Sequence, residues 1–438
     1  MARSAVATQG RLILFGRYPV PGQTKTRLIP ALGALGAAEL QRQLTLCSLN
    51  TLEHSTLPST TFYYTGGSLT QVQRWLGHRP INFRKQQGLD LGARMRAALF
   101  ATLDRDGGPV VLVGSDIAQM AAHHLTRAFD ALARHDVVLG PSRDGGYWLV
   151  GLRRPVDIFS NIQWSTPNVW EQTLAAIQNL RLSHAALPML NDIDTPSDLR
   201  QWLPEAQWPR PYLSVIIPTL NEAANISATI DRVRRHECEI IVADGGSTDR
   251  TADLARAAGA KVISTARSRA RQQNRAAEIG AGVLLFLHAD TRLPEDYGHQ
   301  IFETLMASSV TAGAFKFKTD YDNWRMRWIE RAVHLRATRF QMPYGDQGLF
   351  MRRSTFKKAG RFEEVPIAED LYLVRRLAKM GRIALAPGAA VTSGRRWRSI
   401  GIWRATLINF LIAGGALLGV DPARLAPLYR WGLTPCID

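Results

Sequence analysis

Cysteine is nearly absent: the 438 residues contain only Cys47, Cys238 and Cys436, none of them in a CxxC or Cys/His pair. That excludes a disulfide-stapled scaffold and a structural zinc site, and it suits a reducing cytoplasm. Long apolar runs are missing too. The longest, Ala405 to Val420, is interrupted by Asn409 and falls short of the roughly 20 residues that cross a bilayer. Met1 to Gly10 has no apolar stretch of signal-peptide length, so export is not expected. No GxGxxG fingerprint follows an opening strand, which disfavours a dinucleotide oxidoreductase, and no serine or cysteine elbow stands out. The run Gly16 to Leu28 has the wrong glycine and lysine spacing for a Walker A loop.

Acidic residues are in deficit, 37 Asp plus Glu against 54 Lys plus Arg, for a formal net charge of +17. The excess is uneven: residues 1 to 210 hold 21 basic and 15 acidic residues, while residues 325 to 404 hold 18 basic and 6 acidic. Such a stretch either forms solvated helix faces or meets something anionic, whether diphosphate, lipid headgroup or nucleic acid. Interleaved aromatics and module motifs for RNA are missing, so no nucleic-acid partner is expected.

What is present is an alternation of short apolar runs and longer amphipathic stretches, the pattern of an α/β protein. Leu12 to Phe15, Thr61 to Tyr64, Ile81 to Arg84, Val110 to Val113 and Val137 to Leu139 read as strands. A second series runs through Leu213 to Ile217, Glu239 to Ala243, Lys261 to Ser264 and Val283 to Leu287. Pro204, Pro209 and Pro211 mark a linker between them. The expected architecture is two tandem doubly wound domains with mostly parallel sheets, over 10 to 205 and 212 to 438, joined by 206 to 211.

In open α/β sheets ligands bind at the carboxyl ends of strands. Three strand ends of the second half carry polar residues there: Pro218-Thr-Leu-Asn-Glu222, Asp244-Gly-Gly-Ser-Thr-Asp249, and His288-Ala-Asp290. Carboxylates at successive sheet ends, with Arg267, Arg269 and Arg271 between them, suit Mg²⁺ or Mn²⁺ bridging a diphosphate. Arg267 fits a helix surface as readily as a phosphate. Glu369 and Asp370 open the helical stretch Asp370 to Met380, either favouring the positive helix end or supplying a base to an attacking hydroxyl. Asp346 and Gln347, in Tyr344-Gly-Asp-Gln-Gly-Leu-Phe350, either hold sugar hydroxyls or close a turn. Arg396 and Trp397 precede the apolar run, a makeup found in interfacial anchors and equally in helices packed on their own domain.

These motifs, in this order, resemble the inverting family 2 glycosyltransferases of GT-A fold, over nearly all of residues 212 to 438; the branch they most resemble is the arsenosugar-biosynthesis-type, radical-SAM/selenodomain-associated transferase 2. The resemblance implies a nucleotide-sugar donor contacting Pro218, Thr219, Asn221, Glu222, Asp244, Gly245 and Arg267. It implies Asp244 near the base, Asp290 on the metal and Asp370 as catalytic base beside Glu369. His288 stands where many relatives carry the first Asp of a DxD motif, which leaves Asp290 as the single metal carboxylate. Acceptor hydroxyls would lie toward Asp346, Gln347, Arg396 and Trp397; arsenical sugars, carotenoid acids and other lipids are all compatible.

In the first half, Gly16-Arg-Tyr-Pro-Val-Pro-Gly-Gln-Thr-Lys-Thr-Arg-Leu28, Val110-Val-Leu-Val-Gly-Ser-Asp116 and Asn191-Asp-Ile-Asp-Thr-Pro196 resemble the transferase 1 partner of the same set, and distantly nucleotidyltransferases. The resemblance implies Arg17, Lys25 and Arg27 at phosphates and Asp116 and Asp194 at metal, though Asp194 also fits an N-cap or turn. The expected function is a glycosyltransferase fused to a nucleotide-binding domain, cytoplasmic and with peripheral contact at the inner face of the membrane. The alternatives are a membrane-surface or RNA-binding scaffold, and an N-terminal nucleotidyltransferase that supplies the donor.

Overall fold

Near-continuous apolar runs such as Val110-Val-Leu-Val and Val283-Leu-Leu-Phe cannot alternate between core and solvent, so they fold as central strands covered on both faces. A computed structural model of the chain describes residues 10–53, 59–204, 207–209, 211–235 and 237–431. Cys436, residue 205 at the end of the expected first domain, and residues 206 and 210 of the expected linker lie outside the described residues. The chain divides into two units, Met1–Trp208 and Pro209–Asp438.

The first unit is built on a seven-stranded sheet of β1 (Arg11–Arg17), β2 (Thr60–Thr65), β3 (Asn82–Lys85), β4 (Val110–Gly114), β5 (Val137–Pro141), β6 (Tyr147–Leu152) and β7 (His184–Ala186). Its order is β3-β2-β1-β4-β6-β5-β7, with β6 antiparallel to both neighbours and the other pairs parallel. Helix α1 (Ile29–Glu53) follows the first strand and breaks at Gly33, whose φ of 74° lies in the left-handed region that favours glycine. Helix α2 (Leu91–Asp106) starts at Asp90, whose carboxylate accepts from the Ala93 backbone N at 2.7 Å.

The second unit repeats the plan. Its strands are β8 (Leu213–Thr219), β9 (Cys238–Asp244), β10 (Lys261–Ser264), β11 (Val283–Phe286), β12 (Val310–Thr319), β13 (Leu349–Arg352) and β14 (Arg382–Thr392), in the order β10-β9-β8-β11-β13-β12-β14. Here β13 is the antiparallel member, between β11 and β12. Both sheets are mostly parallel and alternate with helices in a GT-A-like α/β arrangement. The helices that matter below are α3 (Arg269–Ile279), α4 (Trp324–Arg339), α5 (Glu369–Met380) and α6 (Ile402–Leu417). Phe286, Phe356 and Phe362 pack with ring centroids 4.9 to 5.5 Å apart beneath the strand that carries His288 and Asp290. Truncating such a ring to alanine costs about 3 to 5 kcal/mol.

Candidate functional site

The carboxyl ends of β8 and β11 open onto a cavity of about 590 Å³ in the second unit. Pro218, Thr219 and Glu222 line it from β8, His288 and Asp290 from β11, and Arg267 and Arg269 from the start of α3. Tyr344 and Asp346, the stretch Pro366 to Leu371, and Arg395 to Trp397 close further sides, and Asn409, Ile412 and Ala413 of α6 complete the wall with Tyr429.

The acids inside are held in distinct ways. Asp370 Oδ2 accepts from the Gly345 backbone N at 2.7 Å and Oδ1 from the Leu371 backbone N at 2.8 Å. Gly345 suits this approach, since a Cβ there would stand 3.3 Å from both Asp370 Oδ2 and His288 Nε2, a tight contact that would press on both. Ala368, just before α5, has a φ of 64°, left-handed backbone that a non-glycine residue adopts at a cost. That turn delivers Glu369 and Asp370 together. Glu369 is buried, and burial raises its carboxyl against the opposing charge of Arg269, 3.6 Å away. Asp346 is pushed up to about 6 by burial, with Arg336 opposing and Asp370 adding to the rise, and its Oδ1 is buried without a hydrogen-bond partner.

Arg395 ties two strand ends together. Its guanidinium lies 2.8 Å from Glu222 Oε1 and 3.3 Å from Asp290 Oδ2. Burial raises the Asp290 carboxyl while Arg395 pulls it back. His288 is pushed down to about 3 by burial and by the positive charges of Arg269 and Arg395, so its imidazole is neutral at physiological pH. Arg396 lies over the Tyr429 ring at 4.3 Å, and its Nε and Nη2, like Trp397 Nε1, are buried without a partner.

Five of the sequence-expected residues do not line this wall. Asn221 turns through a φ of 56° and spends its Oδ1 on the Thr248 backbone N at 2.9 Å, stitching the β8 and β9 loops together. Asp244 is buried and accepts from the backbone N of Gly246 and Ser247 at 3.1 and 3.0 Å, so its carboxylate shapes its own loop. Gly245 lets the Gln272 amide approach, where it donates to the Thr219 and Ala243 carbonyls. Gln347 is fully buried and donates to the Phe315 carbonyl at 2.9 Å. Arg271 pairs with Glu364 at 2.7 Å, outside the cavity.

The first unit gathers a different cluster. Oxygens of Asp116, Asp192 and Asp194 all lie within 4.8 Å of one another. Lys25, whose side chain is only 4% exposed, reaches in from a backbone φ of 49° and places Nζ 2.9 Å from Asp116 and 2.6 Å from Asp194. Burial disfavours its ammonium, but the two carboxylates more than offset this and hold it charged. Asp192 is pushed up to about 6 by burial and by its acidic neighbours. Lys25 is thus partnered with the very acids expected at metal. Arg27 stays exposed, its Nη1 3.9 Å from Asp194 Oδ2, and Arg17 is exposed at the end of β1.

Asp192, Tyr344, Arg395 as the partner of Glu222, and the cavity wall of α6 were not singled out from sequence. Asp192 had a signal, standing two residues before Asp194. Arg395 had none, being 173 residues from Glu222 along the chain.

Residues 48–166 match a family model described as an uncharacterized protein conserved in bacteria (DUF2064), and residues 214–362 match Glycosyl transferase family 2. The succinoglycan biosynthesis protein ExoA of Rhizobium meliloti is 28% identical over 264 residues, covering 51% of this chain and 78% of that protein. A PGL/p-HBAD biosynthesis glycosyltransferase of Mycobacterium bovis is 40% identical over 96 residues, 19% of this chain and 38% of that enzyme. Among solved structures, a candidate nucleotide-diphospho-sugar transferase from Desulfovibrio desulfuricans is 33% identical with a TM-score of 0.43, covering 46% of this chain and 88% of that one. A mannosyltransferase from Pyrobaculum calidifontis, in complex with GDP-Man and Mn²⁺, is 19% identical with a TM-score of 0.36, covering 51% and 74%. The chain is therefore a glycosyltransferase, similar over residues 48–166 to the DUF2064 model and over residues 214–362 to Glycosyl transferase family 2.

Proposed function

We infer that the second unit transfers a sugar from a nucleotide-sugar donor to a hydroxyl acceptor with inversion at the anomeric carbon. The observation that carries this reading is the convergence of Glu222, Asp290, Glu369 and Asp370 with Arg267, Arg269 and Arg395 on one cavity. The acceptor oxygen attacks the anomeric carbon as the bond to the donor phosphate breaks, and Asp370 takes the acceptor proton, a role for a positioned carboxylate that is typically worth about 10² to 10⁴ in rate. Arg267 and Arg269 face the departing nucleoside diphosphate, where fixed positive charge stabilises the leaving group. Glu369 acts through Arg269 by holding its guanidinium toward the cavity. Asp346, protonated more readily than an ordinary aspartate, offers a hydrogen bond to a sugar hydroxyl, with Arg396 and Trp397 on the same wall.

Asp290 and Glu222 are oxygen donors of the kind Mg²⁺ and Mn²⁺ take. A divalent cation there would share Asp290 with Arg395 and, when bound, supply charge to the diphosphate. Pro218, Thr219 and Glu222 form the edge along which the nucleoside lies; Asn221, Asp244 and Gly245 support that edge from behind. The first unit handles a nucleotide as well, with Asp116, Asp192 and Asp194 as the donor set for a cation and Arg17, Lys25 and Arg27 for phosphate. In that reading it acts as the nucleotidyltransferase that provides the donor.

Incubation of the full chain with UDP- or GDP-sugars, Mn²⁺ and hydroxyl acceptors releases nucleoside diphosphate and an inverted glycoside. Asp370→Asn keeps the donor-induced rise in melting temperature and loses the release. Undiminished turnover in that variant, or a retained anomeric configuration, contradicts the assignment.

A further inference from the structure

Apart from Arg404, Thr406 and Asn409, helix α6 is apolar on both its inner and its outer side, a makeup normally found where a helix is buried on every side. Its inner face is: Ile402, Ala405, Ile408, Ile412 and Ala416 are buried. Its outer face is not. Trp403, Leu407, Phe410, Leu411 and Leu417 recur at helical spacing along one stripe that faces solvent, Trp403 being 64% and Phe410 74% exposed. Contiguous exposed apolar surface of this kind marks a contact with something.

Helix α4 carries a second stripe of different chemistry. Trp324 and Trp328 are 67% and 61% exposed, followed on the same side by Arg331, Leu335 and Arg339. The guanidinium of Arg325 lies 5.4 Å from the Trp324 ring centre and that of Arg331 5.3 Å from that of Trp328. Tryptophans interleaved with arginines suit a lipid headgroup layer, where the ring sits between wet and apolar zones and the cation meets anionic phosphate.

Both helices border the cavity. The α6 residues Asn409, Ile412 and Ala413 line it, and Arg336 of α4 stacks 3.5 Å over the ring of Tyr344, another lining residue. No acidic residue occurs between Arg395 and Val420, and Glu330 on α4 is taken up by Arg327. Pairing this face with a second copy would therefore set arginine against arginine, whereas an anionic bilayer complements it. No helix among the described residues is long and apolar enough to cross a membrane, so the contact lies at the surface.

We propose that the outer face of α6 and the tryptophan and arginine stripe of α4 seat the second unit on an anionic lipid surface, and that the acceptor hydroxyl entering the cavity is carried by a membrane-anchored lipid. The lipid-acceptor part rests on the transferase reading above. The surface-docking part stands on the two stripes.

The test is co-sedimentation of the full chain with vesicles of phosphatidylcholine, alone and with phosphatidylglycerol added, alongside donor-induced thermal shifts. Wild type binds the anionic vesicles more tightly and loses part of that binding as salt is raised. Trp403→Glu with Phe410→Glu weakens partitioning at least about tenfold, and Trp324→Ala with Trp328→Ala weakens it less, while both keep the donor-induced shift. The proposal is overturned if wild type stays in the supernatant, if the glutamate pair binds like wild type, or if light scattering shows a wild-type dimer that the pair dissolves. Vesicle binding without any donor-induced shift overturns the transferase reading and the lipid-acceptor part with it.

Discussion

The two units share one strand order and one antiparallel insertion, yet the crevice at the strand ends is used in opposite ways. In each, the fourth strand in sequence delivers an aspartate just beyond its end, Asp116 after β4 and Asp290 after β11. In the first unit the countercharge is a buried lysine from the loop after the opening strand, and it reaches two acids directly. In the second it is Arg395, half-exposed and just past the last strand, beside a large open cavity with two further arginines at its rim. The fold decides where the carboxylate arrives. The cation that meets it decides whether the site is closed on itself or open to an anionic ligand.

The largest effect expected from this contrast is in turnover. Asp370→Asn lowers the rate of nucleoside diphosphate release by about 10²-fold or more, whereas Asp116→Asn leaves release from a supplied nucleotide sugar within about twofold; steady-state assays of both variants break the comparison if they fall together. Next in size is the loss of the buried cation. Lys25→Met leaves Asp116, Asp192 and Asp194 without their internal partner. Because Asp194 is half-exposed and water screens part of the repulsion, the cost is about 2 kcal/mol rather than the roughly 3 to 5 kcal/mol typical of a fully buried pair. Thermal melts should show the first unit destabilised and then recovered by Mn²⁺, which the three acids can now hold; no change in either quantity would contradict the role given to Lys25.

The smallest effect is one the two units share. Asp192 and Asp346 are each pushed up to about 6, chiefly by burial. A carboxyl raised in the folded state binds its proton more tightly there than in the unfolded chain, so its contribution to stability is full below about pH 4 and is lost as pH rises to about 6. Asp192→Asn and Asp346→Asn should each flatten that part of the melting temperature against pH profile, and a slope unchanged in both would show that neither group titrates as stated.

Much of the sheet was legible because β1, β4, β8 and β11 are apolar runs with no polar alternation to confuse them. The far side of the second sheet was not, nor were β6 and β7 of the first, although Val137 to Leu139 in β5 was. β12 ends in Phe-Lys-Phe-Lys-Thr, half-buried in alternation, and β14 contains Pro387 and Gly388, so both take their strand character from pairing with each other across some seventy residues. The site divided along the same line. Glu222, Asp290 and the Glu369-Asp370 pair could be read because each follows or opens a recognisable element. Asp244 and Gln347 each suited a turn as well as a ligand, and only the folded chain, which spends Asp244 on the backbone N of Gly246 and Ser247 and Gln347 Oε1 on the backbone N of Tyr344, decides between the two. Tyr429, Asn409 and Arg395 reach the cavity only through tertiary packing, which no local spacing encodes.

The most direct test of the account is equilibrium binding of UDP- and GDP-sugars to the full chain and to two variants, Arg267→Ala with Arg269→Ala, and Lys25→Met. Donor affinity should fall at least about tenfold in the arginine pair, as expected for lost charge-assisted phosphate contacts, and stay at the wild-type value in Lys25→Met. The reverse pattern would place the sugar donor in the first unit and contradict the assignment of the second unit's cavity.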